Sequence, residues 1–154
     1  MKKVEKIIRE YLTGGQTQTM QIATSAGDQP WVCTVYYAVD KDLNIYWMSK
    51  PDRRHSKEIE KNAKVAATIV YDQQPPRDDH RGVSVEGIAE KLEGTKALKP
   101  IILYGKQLGS SKDWIKAVKM MVDPHRIYKL TPAKFVLFDD VNFPKDSRQE
   151  WRIK

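Results

Sequence analysis

The sequence predicts a mainly β fold with peripheral helices, an α+β barrel of six or seven strands. Three observations carry this expectation. Short segments rich in Val, Ile, Tyr, Trp and Thr recur at close spacing, as strands do. Helical periodicity is confined to the start, to a stretch after Asp52 and to the region from Thr95 to Val122. The length of 154 residues, with 40% apolar side chains, suits one domain around one core.

The elements follow in order. Val4, Ile7, Ile8, Tyr11 and Leu12 recur at helical spacing and Gly14-Gly15 stop the pattern, so residues 1–15 read as an amphipathic helix. Gln16 to Ser25 leads into a turn at Gly27-Asp28. Pro30 to Val39 and Leu43 to Ser49 are strands on either side of the turn-like Asp40-Lys41-Asp42, and the three segments read as an antiparallel meander. After Lys50-Pro51-Asp52, Arg53 to Ala63 reads as a short helix with Asp52 as its N-cap. Lys64 to Tyr71 is the most apolar run and is expected to be a buried central strand. Gln73 to His80 carries two prolines and reads as a loop. Gly82 to Leu92 alternates as a strand, with Gly87 at a bulge or close approach. Thr95 to Val122 reads as two helices broken near Gly109. Arg126 to Leu130 and Lys134 to Phe138 read as two final strands around a Thr131-Pro132 turn, and the polar tail starts near Asn142. The whole chain is one domain, with the barrel over 16–140 and the tail over 141–154.

Composition excludes several classes. No apolar run approaches the length of a bilayer span, so no membrane partner is expected. Met1 to Leu12 is interrupted by Glu5, Arg9 and Glu10, unlike a secretory signal. Cys33 is the sole cysteine, so no internal disulfide can form and a reducing, cytoplasmic setting is expected. His55, His80 and His125 lack metal-site spacing, so no metal is expected. Cys33 lies in an apolar strand, where a thiol acts as a small hydrophobe rather than a nucleophile. There is no Gly-rich phosphate loop. Lys and Arg outnumber Asp and Glu by 27 to 20, a net +7. Such an excess suits an anionic partner (nucleic acid, an anionic membrane surface or a phosphorylated small molecule), but it also serves solubility. Positive residues are interleaved with acids, which argues against nucleic acid.

The most informative segment is Ser49 to Lys57, S-K-P-D-R-R-H-S-K, at the junction of a strand and a helix. It places Arg53, Arg54, His55 and Ser56 in the first helical turn, where backbone N–H groups are free and the dipole favours an anion. Cations there carry an electrostatic cost that a bound phosphate would offset. Arg grips phosphate with two nitrogens and Ser56 can add a hydrogen bond. A solvated basic loop is the alternative reading.

This segment, continued through E-I-E-K-N-A-K-V-A-A-T-I, is similar to the flavin phosphate-binding region of the pyridoxamine 5′-phosphate oxidase-like superfamily. Ser49 matches a strand-end hydroxyl, Arg54 the phosphate-binding arginine, and His55 stands where the oxidases have a lysine. Val83-Ser84-Val85-Glu86-Gly87, Tyr128-Lys129-Leu130-Thr131-Pro132 and Phe135 to Phe138 resemble later barrel strands, so the likeness spans Thr17 to Asp139 in matching order. The resemblance implies a split β-barrel, Greek-key-like, that binds FMN at a homodimer interface. It implies a flavin ring along Val32, Cys33 and Thr34 beside Ser49, and a phosphate at Arg53, Arg54, His55 and Lys57. It implies Phe138 where the oxidases have a ring-contacting tryptophan, and the loss at Gly82 of a glutamine contact from the partner. Cys33 and Ala38 replace a flavin-binding arginine and a substrate lysine, and nothing after Phe138 resembles the oxidases' substrate segment. Vitamin B6 oxidation is therefore not expected, and the expectation is a flavin-dependent oxidoreductase acting on another small molecule. The alternatives are a non-catalytic module for flavin, deazaflavin or heme, and a basic nucleic-acid-binding barrel.

Overall fold

The hydrophobic pattern is resolved into one curved antiparallel sheet with helices at its ends and on one flank. The computed structural model describes residues 2–14, 18–71 and 80–154. The elements are α1 (Lys3–Gly14), β1 (Thr19–Ser25), β2 (Pro30–Tyr36), β3 (Ala38–Val39), β4 (Ile45–Ser49), α2 (Arg54–Lys61), β5 (Lys64–Val70), β6 (Arg81–Lys91), α3 (Thr95–Leu108), α4 (Lys112–Lys119), β7 (Arg126–Asp139) and β8 (Arg148–Arg152). The sheet order is β2-β1-β5-β6-β7-β4-β3, with β8 also paired to β7. β2 approaches β4 without pairing to it, which is the split in the barrel. All of the expected Gln73–His80 loop but His80, together with the expected Gly15 stop and Gln16 strand start, lies outside the described residues.

The expected meander of three strands is corrected. β1 and β2 form a hairpin around Gly27, whose φ of 92° suits glycine, but β4 pairs with β3 and β7 instead of β2. The chain leaves the hairpin at Tyr37, which is buried and donates its hydroxyl to the Leu12 carbonyl. Gln107 then holds both the N–H and the carbonyl of Val39. These long-range anchors carry the chain across the barrel, and local pattern does not encode them.

Three further expectations are corrected. Thr131-Pro132 is not a turn, because β7 runs through it without a break. Opposite it, the register shifts after Glu86, so that Gly87 faces Pro132 and Ala133 is the extra residue. A bulge tolerates a proline that has no N–H to give, and Gly87 allows the close approach. β5 is central in the sheet, but its burial alternates: Val65, Ala67 and Ile69 are buried, while Lys64, Ala66 and Val70 are exposed. The polar tail supplies an eighth strand, β8, on β7.

The main core fills the barrel, with Met20, Ile22, Trp47, Tyr128, Phe135 and Leu137 among its fully enclosed residues. α1 closes one end. Its Tyr11 hydroxyl donates to the buried Asp139 carboxylate at 2.6 Å, and Asn142 and two backbone N–H groups donate to the same carboxylate. Burial alone would raise the Asp139 pKa; the hydrogen bonds it accepts outweigh that and hold it low. A second core, with Ala97, Ile101, Tyr104 and Val118, packs α3 and α4 against Tyr46, Met48 and Ile127. As expected, the two helices break at Gly109, which takes a left-handed φ of 65°.

A Cβ at Gly87 would fall inside contact distance of the Thr131 carbonyl oxygen, with Leu130 and Pro132 also close. Gly87→Ala is expected to destabilise the fold by about 1–3 kcal/mol through this backbone clash. A lowered urea midpoint at unchanged slope is the result that checks it.

Candidate functional site

The Ser49–Lys57 segment links the end of β4 to the start of α2. Lys50 and Arg53 close a turn through the Arg53 N–H, which donates to the Lys50 carbonyl at 3.1 Å. Arg53, not Asp52, is the N-cap; its backbone is extended and no side chain caps the helix. Asp52 instead approaches Arg53 at 3.9 Å, and both side chains are more than half exposed. The first turn of α2 therefore has uncapped amides, no acidic residue, and two arginines beside it.

Arg54 is held on two sides. Its Nε donates to Glu58 Oε2 at 2.9 Å, one helical turn on, and its guanidinium stacks 4.3 Å from the centre of the Trp31 ring at the start of β2. Glu58 is fixed in turn by Thr24, whose hydroxyl donates to Oε1 at 2.9 Å. The Arg54 hydrogen bond, with help from Thr24 and against the effect of burial, holds the Glu58 carboxyl below its usual pKa. The terminal nitrogens of Arg54 make no hydrogen bond among the described residues, and the side chain is 46% exposed. The result is a guanidinium fixed in place with its outer edge available. The i,i+4 spacing of Arg54 and Glu58 was a legible signal for this pair. Trp31 and Thr24 come from the β1–β2 hairpin, and nothing local connects them to the turn.

His55 takes another role than the one expected. It is buried, and its Nε2 lies 2.7 Å from the Ser49 hydroxyl. Burial, aided by the neighbouring Arg53 charge and opposed by Glu58, pushes its pKa below the ordinary 6.5. The ring ties the end of β4 to the first turn of α2. Ser56 is also fully buried, with its hydroxyl beside that of Tyr128. Its expected role as a phosphate donor is likewise not supported. Arg53, Arg54 and Lys57 remain as the exposed cations of the segment.

Among the described strands β2 pairs with β1 alone, so alternate residues across Val32, Cys33 and Thr34 turn their backbone N–H and C=O to an edge that no described strand covers. Val32 and Thr34 are exposed on the outer face. Cys33 faces the opposite way, packs against the main core, and burial pushes its thiol up to about 11. The register gives Phe138 a place on the outer face as well. Thr34, Gln21, Thr68, Ser84 and Val136 form one cross-strand row, and Phe138 lies two residues along β7, its ring over Gly82. Within one chain Phe138 is four strands from β2 and is not brought to Arg54. The same outer face exposes Val32, Tyr36, Val70 and Ile88, and a groove of about 600 Å³ runs along it between Ala23, Lys64, Ala66 and Ile88.

Residues 4–138 match the family model described as pyridoxamine 5′-phosphate oxidase. No curated protein matches the chain. Among solved structures, the conserved hypothetical protein Rv2991 from Mycobacterium tuberculosis is similar, with 19% identity, a TM-score of 0.73, and coverage of 95% of this chain and 89% of that one. A FAD-binding protein from Mesorhizobium loti has 19% identity and a TM-score of 0.64, covering 88% and 92%. The heme storage protein HutZ from Vibrio cholerae has 18% identity and a TM-score of 0.66, covering 85% and 91%.

The lowered His55 pKa fixes the sign of a pH effect. The unfolded chain takes up a proton at His55 more readily than the folded one, so this group's contribution to stability is intact above 6.5. It is lost as pH falls from 6.5 toward the lower folded-state value. Denaturation curves at a series of pH values are expected to show that acid-side loss, and His55→Gln is expected to flatten it.

Proposed function

The chain belongs to the pyridoxamine 5′-phosphate oxidase family, and on that premise we propose that it is an FMN-dependent oxidoreductase, with the flavin phosphate on the Arg53–Arg54 turn and two copies joined through the outer sheet face. The observation that carries this reading is the uncapped first turn of α2, with the outer edge of Arg54 unpartnered beside it. A phosphate needs what this turn offers: backbone N–H donors, a guanidinium held in orientation, and further positive charge.

The residues divide the work. Arg54 grips the phosphate with its terminal nitrogens, while Glu58 and Trp31 keep the side chain from swinging to solvent. Arg53 and Lys57 add charge. Ser49 and His55 hold the turn in register with β4. The free edge of β2, at Val32 to Thr34, offers backbone donors and acceptors to the polar rim of a ring system. A bound flavin supplies hydride or electron transfer to and from a small-molecule substrate, so no acid–base pair is required of the protein. Exposed Val32, Tyr36, Val70 and Ile88 on one sheet face support that face as the homodimer contact, an apolar area of the kind that marks association. A second copy on this face is also what would bring Phe138 toward a partner's cofactor.

Heme is the second reading, because the heme storage protein HutZ shares the fold and His125 offers an imidazole fixed through one nitrogen. The His125 Nδ1 is held 2.6 Å from Asp123, and among the described residues no hydrogen bond engages Nε2, the arrangement of many metal-bound histidines. Adding hemin and adding FMN to the purified protein separates the two readings: a Soret shift lost in His125→Ala favours heme, and flavin uptake without such a shift favours FMN.

Two outcomes are expected. Arg54→Ala weakens FMN binding by about 1.5–3 kcal/mol, the loss of a charged hydrogen bond, read from fluorescence quenching of the flavin. Val70→Asp, which places a charge on the outer face, shifts the protein from dimer to monomer in light scattering after gel filtration.

A further inference from the structure

The net charge of +7 is concentrated away from the turn just described. Between Thr95 and Val122 the chain has six lysines, Lys96, Lys99, Lys106, Lys112, Lys116 and Lys119, against one acid, Asp113. All six are exposed on α3 and α4. These helices bury Ala97, Ile101, Tyr104 and Val118 against the sheet, and their other side is bare. That bare side is not simply polar. Leu98 and Ile102 are 39% and 50% exposed, and the turn after α4 exposes Met120, Met121 and Val122 at 63% to 75%.

The apolar and basic groups form one surface. Ile102 and Lys106 border two neighbouring concavities, one shared with Leu98 and Lys99 and the other with Lys112 and Lys116. Leu98 also borders a third hollow with Met121. Lysines surrounding exposed aliphatic side chains are the pattern of a helical surface that lies on an anionic bilayer, with the aliphatic groups entering the headgroup boundary and the ammonium groups meeting lipid phosphates.

We propose that the α3–α4 face docks the protein on anionic phospholipid membranes. The absence of any helix long enough to span a bilayer among the described residues does not bear on this, because surface docking needs no span. A nucleic acid fits less well. The cations on α3 and α4 are all lysines, and the aromatic side chains of these helices, Tyr104 and Trp114, are buried or half-buried rather than presented for base stacking. A second copy of the chain fits less well too, since a two-fold contact would set lysines against lysines.

Sedimentation of the full chain with lipid vesicles tests the proposal. With phosphatidylcholine vesicles containing phosphatidylserine, the protein is expected to pellet, and to release as salt is raised. With phosphatidylcholine alone it is expected to stay in the supernatant. Lys99→Glu/Lys106→Glu/Lys116→Glu is expected to lower the bound fraction roughly tenfold or more, whereas the same positions as arginine retain it. Ile102→Ser is expected to weaken binding while leaving its salt dependence. Unchanged thermal midpoints in these surface variants show that the fold is intact. No pelleting with the anionic vesicles, or pelleting indifferent to the charge reversal, overturns the proposal. So does binding of single-stranded oligonucleotide by this face without vesicle binding, or self-association abolished by the same charge reversal.

Discussion

Positive charge crowded at the positive end of a helix is the constraint around which this site is arranged. Arg53 and Arg54 flank the N-terminus of α2, whose first turn holds no acidic residue and no capping side chain. Within the chain, Glu58 neutralises part of this charge by taking the Nε of Arg54. The remaining donors make no hydrogen bond among the described residues, and on the proposed reading an anion completes them.

The fold holds that arrangement in place. Trp31 and Thr24 reach it from the β1–β2 hairpin, Glu58 from α2, and Ser49 from β4. α2 thus sits where the hairpin and β4 approach without pairing, at the split in the barrel. The buried His55–Ser49 contact secures the turn from beneath and keeps a neutral ring under the arginines. This division, with a rigid inner layer and cationic outer groups, suits a phosphate site better than a mobile basic loop.

Much of this was legible in the sequence. The strand–turn–helix order of Ser49 to Lys57, the two arginines at the first turn, the Gly109 break and the Gly87 bulge all follow from local pattern. What was not legible depends on distant partners. His55 reads as a cation until the barrel closes over it. Pro132 reads as a turn until Gly87, more than forty residues earlier in the chain, is set against it. β5 reads as fully buried because its outward positions, Ala66, Thr68 and Val70, are themselves small or apolar. The same composition makes the outer face a candidate contact between copies.

The most direct measurement compares FMN with riboflavin, which has the same ring but lacks the phosphate, in fluorescence titrations of the wild-type protein. If the α2 turn is a phosphoryl-binding site, FMN binds at least about a hundredfold more tightly, because several charge-assisted hydrogen bonds are lost without the phosphate. Equal affinities for the two would contradict the account.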